Sequence, residues 1–420
     1  MKARFTPALF AHAEAVLGQL LRFDHPADAV VSRYFREHRQ LGHADRAFVA
    51  ETVFAVLRRG RSLEARCAGK LSDRNRLLVA LAVTRGWSQR ELAPVLKTSE
   101  EEWLAGAKAM AESELPPAVR CDLPDWLHAR LETQFGTEET LALAAALNQP
   151  APLDLRVNTL KASREDVLAR LTVDGIAAQP GGLSPLAVRL RDKPALAKHP
   201  LFLEGAFEVQ DEGSQLLGLL LEPKRGEMVV DFCAGAGGKT LLLGALMRNT
   251  GRLYAFDVSD KRLVKLKPRL ARSGLSNVHP ARIEHERDQK IKRLAGKADR
   301  VLVDAPCSGL GTLRRNPDLK WRQSAESVAE LTAKQASILD AAAKLVRPGG
   351  RVVYATCSLL REENDAIVDA FLASHPDFVL TPASSVLARA GIELAGDTLR
   401  LLPHLHHTDG FFAAVLDRKS

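Results

Sequence analysis

The sequence predicts an α/β fold in which a doubly wound domain with a parallel sheet follows a small α+β unit and an all-helical N-terminal domain. Apolar residues recur at helical spacing through about the first 145 residues, and strands alternate with helices from residue 229 onward. The chain has 420 residues, 46% hydrophobic and 26% charged, which suits two or three globular domains. We therefore predict domains at residues 1–145, 146–215 and 216–420.

The first domain is predicted to contain helices only. Its clearest helix covers residues 45–59, where Phe48, Val53, Val56 and Leu57 recur at helical spacing. We expect further helices at residues 75–84, 88–96 and 101–110, and, after a break at Pro116 and Pro117, a helical run from about 123 to 147.

The middle unit starts where the composition changes, at residues 149–152. It is predicted to hold a strand at 153–157, a helix at 163–174 and short strands to about residue 210. The last domain is predicted to have strands at residues 229–232, 252–257, 278–283, 300–304, 351–356 and 411–416. Helices between parallel strands place the active groups at the carboxyl ends of those strands.

Several classes of protein are disfavoured by composition. The longest apolar runs, such as residues 216–221, are too short to cross a bilayer, and His12 and Glu14 interrupt what would be a signal peptide. The five cysteines are odd in number, widely spaced and without a C-x-x-C pair, which argues against disulfides and against a metal site. We expect a cytoplasmic protein with reduced thiols, no bound metal and no membrane partner.

The formal net charge of +8 lies mainly in the C-terminal part of the chain. Residues 151–420 contain 39 lysines and arginines against 32 acidic residues, whereas residues 1–150 contain 20 against 19. A polyanionic partner fits this distribution, and a mildly basic soluble enzyme fits it equally well.

A glycine-rich loop follows the strand at 229–232, with the sequence Asp-Phe-Cys-Ala-Gly-Ala-Gly-Gly-Lys-Thr at residues 231–240. Such glycines permit a tight turn and a close approach of a ligand to the backbone. A P-loop for nucleotide triphosphates needs glycine where Cys233 stands, and the dinucleotide pattern needs glycine or alanine where Thr240 stands. An acid four residues before Gly-x-Gly suits S-adenosylmethionine, which carries an amino-acid end and no pyrophosphate.

The ends of three later strands add candidate side chains. Asp257 ends the second strand, 22 residues after Gly235, where an acid can bind ribose hydroxyls. Asp304 ends the fourth strand in the run Asp-Ala-Pro-Cys-Ser, which contains Cys307, and Cys357 follows the fifth strand in Thr-Cys-Ser. Two thiols at the ends of neighbouring strands would face one pocket, although a lone cysteine there is most often a small packed hydrophobe.

Together these motifs resemble the Sun/RsmB family of RNA cytosine-5 methyltransferases, in its RsmB-like branch. Residues 156–159 (Arg-Val-Asn-Thr), 209–214 (Val-Gln-Asp-Glu-Gly-Ser), 314–318 (Arg-Arg-Asn-Pro-Asp) and 409–412 (Asp-Gly-Phe-Phe) are similar to family segments as well. The resemblance covers nearly the whole chain and implies a NusB-like helical domain, an RRM-like unit and a Rossmann-like methyltransferase domain.

The resemblance also implies a mechanism. A cysteine thiolate adds to carbon 6 of cytosine and thereby makes carbon 5 nucleophilic enough to accept a methyl group. Cys357 would be the nucleophile, Cys307 would assist release, and Asp304 would bind the base. A DNA-type enzyme would instead use the cysteine of the Pro-Cys pair, Cys307, and the residues alone do not decide between the two.

Further candidate contacts complete the predicted site. The third strand of the family usually ends in Gly-Asp, and Glu284 is the nearest equivalent here, in a segment whose charges equally suit a solvated helix. The candidate cofactor contacts are Asp231, Cys233, Ala234, Gly235, Gly237, Gly238, Lys239, Asp257, Lys261, Arg262, Glu284 and Asp304. The candidate RNA contacts are Arg156, Asn158, Arg314 and Arg315.

The expected partner is RNA, with small-subunit rRNA as the substrate implied by the resemblance, and a monomeric protein is expected. Two other classes of function stay open at this point. One is a P-loop NTPase, and the other is a non-catalytic RNA-binding module of the antitermination type, which would leave the paired thiols without a use.

Overall fold

A computed structural model describes residues 5–420, which divide into two compact units. One unit contains the chain up to Pro150 together with Thr312–Ala325, and the other contains Ala151–Gly311 with Glu326–Ser420. The small α+β part and the alternating part thus form one unit, and a short segment from the C-terminal half belongs to the helical unit.

The first unit is built from helices around an apolar core. Up to residue 150 its helices are α1 (Pro7–Leu20), α2 (Ala27–Glu37), α3 (His43–Arg58), α4 (Gly60–Arg66), α5 (Asp73–Val79), α6 (Gln89–Leu92), α7 (Thr98–Ala109), α8 (Pro117–Arg120), α9 (Asp125–Phe135) and α10 (Thr137–Leu147). Leu17, Val49, Val53 and Leu77 are fully buried where α1, α3 and α5 meet. The run expected at residues 123–147 is two helices, because Gly136 separates them with a positive φ of 81° that favours glycine.

The second unit contains two sheets. The strands are β1 (Leu153–Val157), β2 (Ala178–Pro180), β3 (Ala187–Leu190), β4 (Phe207–Val209), β5 (Met228–Asp231), β6 (Arg252–Asp257), β7 (Val278–Arg282), β8 (Ala298–Asp304), β9 (Val346–Thr356), β10 (Phe378–Thr381), β11 (Leu399–Leu401) and β12 (Phe411–Arg418). The first four form an antiparallel sheet in the order β2-β3-β1-β4.

The remaining helices of the chain continue the numbering. They are α11 (Arg164–Val173), α12 (Pro200–Leu203), α13 (Glu212–Leu221), α14 (Gly238–Leu246), α15 (Asp260–Ser273), α16 (Gln289–Lys292), α17 (Leu319–Arg322), α18 (Ala325–Ala343), α19 (Asp365–Ser374), α20 (Ala383–Ala388) and α21 (Pro403–His406). No helix within residues 5–420 is long and apolar enough to span a membrane.

The large sheet has the order β10-β12-β9-β8-β5-β6-β7, with β11 paired to β12. Its strands from β9 to β7 are parallel, as the alternation of strands and helices predicts. The strand expected at residues 411–416 is present as β12, but it runs antiparallel to β9, and β10 and β11 were not predicted. Because β5 and β8 are neighbours, and β8 and β9 are neighbours, the loops after these strands meet at one edge.

The segment Thr312–Ala325 completes the packing of the helical unit. Trp321 donates from Nε1 to the carbonyl of Leu57 at 2.9 Å, and Lys320 donates from Nζ to the carbonyl of Arg58 at 2.7 Å. These are the last carbonyls of α3, which have no partner within the helix itself. Burial lowers the pKa of Lys320 to about 7, and its Nζ also donates to Asn148. The segment therefore caps the C-terminus of α3.

Candidate active site

The glycine loop lies between β5 and α14, as its sequence predicts. Gly235 has a φ of 57°, and a side chain there would point into open space. Gly237 has a φ of 84° and packs so closely that a Cβ atom would lie 2.1 Å from Leu266 Cδ1. Gly235 therefore leaves room for a ligand beside the backbone, whereas Gly237 serves the turn and its packing.

Asp231 ends β5 with a buried carboxylate. Its Oδ2 accepts a hydrogen bond from Thr240 Oγ1 at 2.6 Å, while its buried Oδ1 has no hydrogen-bond partner. Burial raises the pKa of Asp231 to about 7, an effect that the Thr240 hydroxyl opposes and the nearby Asp304 and Asp257 reinforce. A buried oxygen without a partner is costly, and a cationic ligand would relieve that cost.

Asp257 ends β6 and is held by two backbone amides. Gly235 N donates to Oδ2 at 2.8 Å and Ser259 N donates to Oδ1 at 2.7 Å. Each carboxylate oxygen keeps a second lone pair, which can accept a hydrogen bond from a hydroxyl group. The carboxylate is thus oriented before any ligand arrives.

These loops enclose a cleft of about 760 Å³ within the second unit. Most of the predicted contacts line it: Asp231, Cys233, Ala234, Gly235, Gly238, Lys239, Asp257, Arg262, Glu284, Asp304, Cys307 and Cys357. Six further lining side chains were not predicted from the sequence: Gln210, Val258, Ile283, His285, Lys334 and Ile338. The apolar members among these give one part of the cleft a surface suited to a flat, weakly polar ring.

The two strand-end thiols meet in this cleft. Cys307 Sγ lies 3.4 Å from Cys357 Sγ, within hydrogen-bond distance for sulfur. The hydrogen bond to Cys357 raises the pKa of Cys307 well above its ordinary value, and burial and the negative charge of Glu363 add to the effect. Cys307 thus stays protonated and can donate its S–H to a thiolate on Cys357.

The other three cysteines are held as thiols. Burial raises the pKa of Cys67 and of Cys121 to about 11, and it raises the pKa of Cys233 still further, helped by three nearby aspartates. Because thiolates are the nucleophilic form, these cysteines are poor candidates for attack on a substrate.

Lys239 and Asp304 form an ion pair beside the thiols, with Nζ 2.7 Å from Oδ2. Burial alone would lower the pKa of Lys239, but the Asp304 carboxylate outweighs it and the pKa is raised, with a further contribution from Cys357. Lys239 is therefore a fixed cation that stabilises negative charge on both Asp304 and Cys357.

Glu363 joins the two cysteine loops and was not identified from the sequence. Its fully buried carboxylate accepts hydrogen bonds from Ser308 N at 2.8 Å and Ser308 Oγ at 2.5 Å, and from the Ser358 hydroxyl. Gln335 Nε2 donates to it at 2.9 Å. Since Ser308 follows Cys307 and Ser358 follows Cys357, one carboxylate positions the residues next to both thiols.

Two glycines allow a third strand end to approach the same loops. Gly311 N donates to the carbonyl of Cys357 at 2.8 Å, and Gly410 N donates to the carbonyl of Gly311 at 2.8 Å. A Cβ atom on Gly311 would lie 2.2 Å from the Gly410 oxygen. This contact explains why residue 311 and residue 410 of the Asp-Gly-Phe-Phe segment are both glycines.

The sequence matches two protein-family models and several known proteins. The family model for the 16S rRNA methyltransferase RsmB/F matches residues 218–417, and the model for the RsmF/B-like ferredoxin-like domain matches residues 123–196. The "Probable ribosomal RNA small subunit methyltransferase B" of Synechocystis is 34% identical, over 96% of this chain and 98% of that protein. The chain belongs to the RsmB/F methyltransferase family. Ribosomal RNA small subunit methyltransferase B of Citrobacter koseri is 37% identical, over 81% of this chain and 76% of its own length.

Two solved structures share the fold of this chain. The protein PH0851 matches with a TM-score of 0.80 and 28% identity over the full length of both chains. A methyltransferase homolog from Pyrococcus horikoshii matches with a TM-score of 0.63 and 31% identity, over 74% of this chain and 100% of that one. The expected Rossmann-like methyltransferase fold, with a ferredoxin-like part and a helical N-terminal region, is confirmed.

The cofactor of this RsmB/F family member is S-adenosylmethionine, and the cleft fits it. The free Oδ1 of Asp231 would accept from the ammonium group of the methionine end, and the open side of Gly235 leaves room for that end. Asp257 would bind the ribose hydroxyls, while Val258, Ile283 and Ile338 would surround the adenine.

Other predicted contacts lie elsewhere in this RsmB/F protein. Lys261 is exposed and does not line the cleft. Arg156 and Asn158, expected to touch RNA, are buried, so that prediction is corrected. Arg156 donates to Gly238 O at 2.6 Å and to Gln210, and Asn158 donates to the carbonyls of Gly205 and Ser273. Both side chains thus form hydrogen bonds between the ferredoxin-like sheet and the methyltransferase part.

The remaining two predicted RNA contacts belong to the helical unit. Arg314 is 8% exposed, and its carbonyl accepts a hydrogen bond from Arg58. Arg314 is therefore buried within that unit, whereas Arg315 is half-buried.

Proposed function

We propose that this protein methylates carbon 5 of a cytosine in small-subunit ribosomal RNA. The pair of thiols in the cofactor cleft carries the proposal, with Cys307 Sγ and Cys357 Sγ 3.4 Å apart beside the Lys239–Asp304 ion pair. The similarity to ribosomal RNA small subunit methyltransferases supports the ribosomal RNA substrate.

Cys357 is the nucleophile in this proposal. Its thiolate is stabilised by the Cys307 S–H and the Lys239 ammonium, and it adds to carbon 6 of the base. S-adenosylmethionine supplies the methyl group that carbon 5 accepts. Loss of the carbon 5 proton then expels the Cys357 thiolate and restores the aromatic ring, so the protein is regenerated unchanged.

Cys307 and Asp304 assist on either side of that step. Cys307, held protonated next to Cys357, assists release of the product and is the residue whose loss would trap the covalent adduct. Asp304, oriented by Lys239, hydrogen-bonds the polar edge of the cytosine and stabilises charge in the attacked ring. The target base must leave its stack to meet these groups.

A single chain contributes every group named in the cleft, which supports the further proposal that the protein acts as a monomer. We further propose that it acts in the cytoplasm, where a ribosomal RNA substrate would be met. The P-loop NTPase alternative has no support in the family found, and a non-catalytic RNA-binding module would leave the thiol pair unexplained.

Methyl transfer to a transcript of small-subunit rRNA tests the proposal, with labelled S-adenosylmethionine and a denaturing gel for protein–RNA adducts. We expect wild type to form 5-methylcytidine, Cys357→Ala to give neither product nor adduct, and Cys307→Ala to accumulate an adduct. Cys67→Ala, which changes a buried thiol of the helical unit, is the control and should transfer methyl groups normally.

Two outcomes would contradict the proposal in different ways. An adduct in Cys357→Ala but not in Cys307→Ala would make Cys307 the nucleophile. Labelled nucleosides other than 5-methylcytidine would show that the base or the position is wrong.

A further inference from the structure

The positive charge of the chain is concentrated in one short stretch. Residues 260–297 contain twelve lysines and arginines against four acidic residues, a surplus of eight. The surplus of the whole chain is also eight, so the other 382 residues are balanced. Charge gathered in one stretch of sequence in this way differs from the scattered charge of an ordinary solvated surface.

The stretch surrounds one edge of the large sheet, with α15 and α16 packed on its opposite faces. It comprises α15, the edge strand β7 and α16. On α15, Leu263 and Leu266 are buried and the basic residues lie on the other faces. Lys261, Lys265 and Lys267 are exposed there, as is Lys292 at the end of α16.

Part of this charge is neutralised within the unit. Arg269 and Arg272 both pair with Glu208, and Arg262 lies 3.9 Å from Asp257. By contrast, Lys261, Lys265, Lys267 and Lys292 have no carboxylate within ion-pair distance among residues 5–420. These four lysines, which we call the lysine flank, present positive charge that the protein itself does not use.

The lysine flank adjoins the cofactor cleft. Helix α15 starts directly after Val258 and Ser259, which line the cleft, and β7 leads into the lining residues Ile283 and Glu284. Arg282 Nη1 lies 3.7 Å from Asp260 Oδ2, so the start of α15 and the end of β7 are neighbours. A polyanion held by the lysine flank would therefore lie along one rim of the cleft.

We infer that the lysine flank binds the phosphate backbone of the RNA substrate beside the target cytosine. This inference rests on the proposed function and adds where the nucleic acid is held. Lysines act as point charges on phosphates and do not read bases, so the contribution to binding is independent of sequence and falls steeply with salt.

A membrane surface is the less suitable partner for the same charges. An interfacial helix needs a free apolar face, and the apolar face of α15 is already buried by Leu263 and Leu266 against the sheet. Nucleic acid requires only the exposed cations.

The test compares two triple variants of the full chain. The flank variant is Lys265→Gln, Lys267→Gln and Lys292→Gln. The control variant is Lys224→Gln, Arg225→Gln and Lys344→Gln, which removes equal charge just before β5 and β9, at the amino ends of the strands. Binding of a fluorescent rRNA transcript and of anionic vesicles is measured across salt concentrations, together with kinetics and S-adenosylmethionine affinity.

We expect the flank variant to bind RNA roughly tenfold more weakly at low salt, with a salt slope shallower by about two to three. Its KM for RNA should rise far more than its kcat falls, and its affinity for S-adenosylmethionine should equal that of wild type. The control variant should keep the wild-type slope. A flank variant with the wild-type slope, or one that loses binding to anionic vesicles but not to RNA, overturns the inference.

The same experiment separates this inference from the proposed function. If wild type shows the flank-dependent salt slope yet yields no 5-methylcytidine, the flank binds RNA and the proposed reaction is wrong. If wild type forms 5-methylcytidine and the two variants bind alike, the reaction stands and the flank is not its RNA site.

Discussion

Glu363 accepts two hydrogen bonds from Ser308, one from the backbone amide at 2.8 Å and one from the hydroxyl at 2.5 Å. Ser308 directly follows Cys307, so the bonds determine where that thiol lies relative to Cys357. A buried carboxylate with only donors around it is hard to replace, because any group that also donates leaves a donor unpaired.

We expect Glu363→Gln to lower kcat by about 10- to 100-fold while the affinity for S-adenosylmethionine stays nearly unchanged, because the loops lose their shared acceptor but the cofactor contacts remain. Steady-state kinetics and calorimetry measure the two effects. Loss of the negative charge should also let Cys307 react with iodoacetamide at lower pH than in wild type. Glu362→Gln, a change at the adjacent residue, is the control, and equal kcat in both variants would count against a positioning role.

Asp231 gives the protein a dependence of stability on pH. Its folded pKa of about 7 lies above its ordinary value of 3.8, so the folded state holds a proton that the unfolded state releases. The free energy of unfolding therefore falls as pH rises from about 4 to about 7. Asp231→Asn should remove this dependence of stability on pH. At pH values above 7 its Tm should be higher than that of wild type, and it should no longer bind the cofactor.

Thermal melts at pH 5 and pH 8 check this prediction, with Asp340→Asn as the control. The Lys344 hydrogen bond lowers the pKa of Asp340, so its contribution to stability is present at neutral pH and is lost in acid. Asp340→Asn should therefore not stabilise the protein at pH 8. A wild-type slope retained in Asp231→Asn would mean that another group titrates.

Gly311 occupies a position with no room for a side chain, directly against the backbone of Gly410. Gly311→Ala should destabilise the protein by about 1–3 kcal/mol, since its Cβ would collide with the backbone of Gly410 and the loops must shift. The shift should also move Cys357, whose carbonyl Gly311 binds, and reduce activity. Urea unfolding and methyl transfer measure both, and Gly182→Ala, which meets only open space, should change neither.

The thiol pair should be sensitive to peroxides. Hydrogen peroxide converts one thiol to a sulfenic acid with release of water, and the second thiol then displaces another water to form a disulfide. We expect reversible loss of activity, restored by dithiothreitol, and a peptide linking Cys307 to Cys357 in mass spectra. Cys67 and Cys121 should stay free, and over-oxidation of Cys357 without any such peptide would exclude the disulfide.

The sequence was sufficient for features that recur along one element. Strand periodicity predicted β5, β6, β8 and β9. Because parallel strands end at one edge of a sheet, the sequence alone also predicted that Cys307 and Cys357 lie close together. The turn of the glycine loop was also predictable, because its glycines lie between a strand and a helix.

Features that depend on partners far along the chain could not be predicted. Glu363 lies in a charged run that looks solvated, and only the fold shows that two serines and Gln335 surround it. Arg156 and Asn158 likewise look like surface residues, and their partners at Gly238 and Ser273 are about 80 to 115 positions away in sequence. The antiparallel direction of β12 relative to β9 also could not be predicted, because no local sequence pattern specifies how these strands pair.

The cap that Lys320 and Trp321 place on α3 sets an order of events during synthesis. The helices up to Leu147 leave the ribosome early. Lys320 and Trp321, which donate to the Arg58 and Leu57 carbonyls, are synthesised more than 160 residues after Leu147. At about 5–20 residues per second, the delay is roughly 10 to 30 seconds. During that time the nascent helical unit has an open end at α3, and it completes its fold only when most of the catalytic domain has been made.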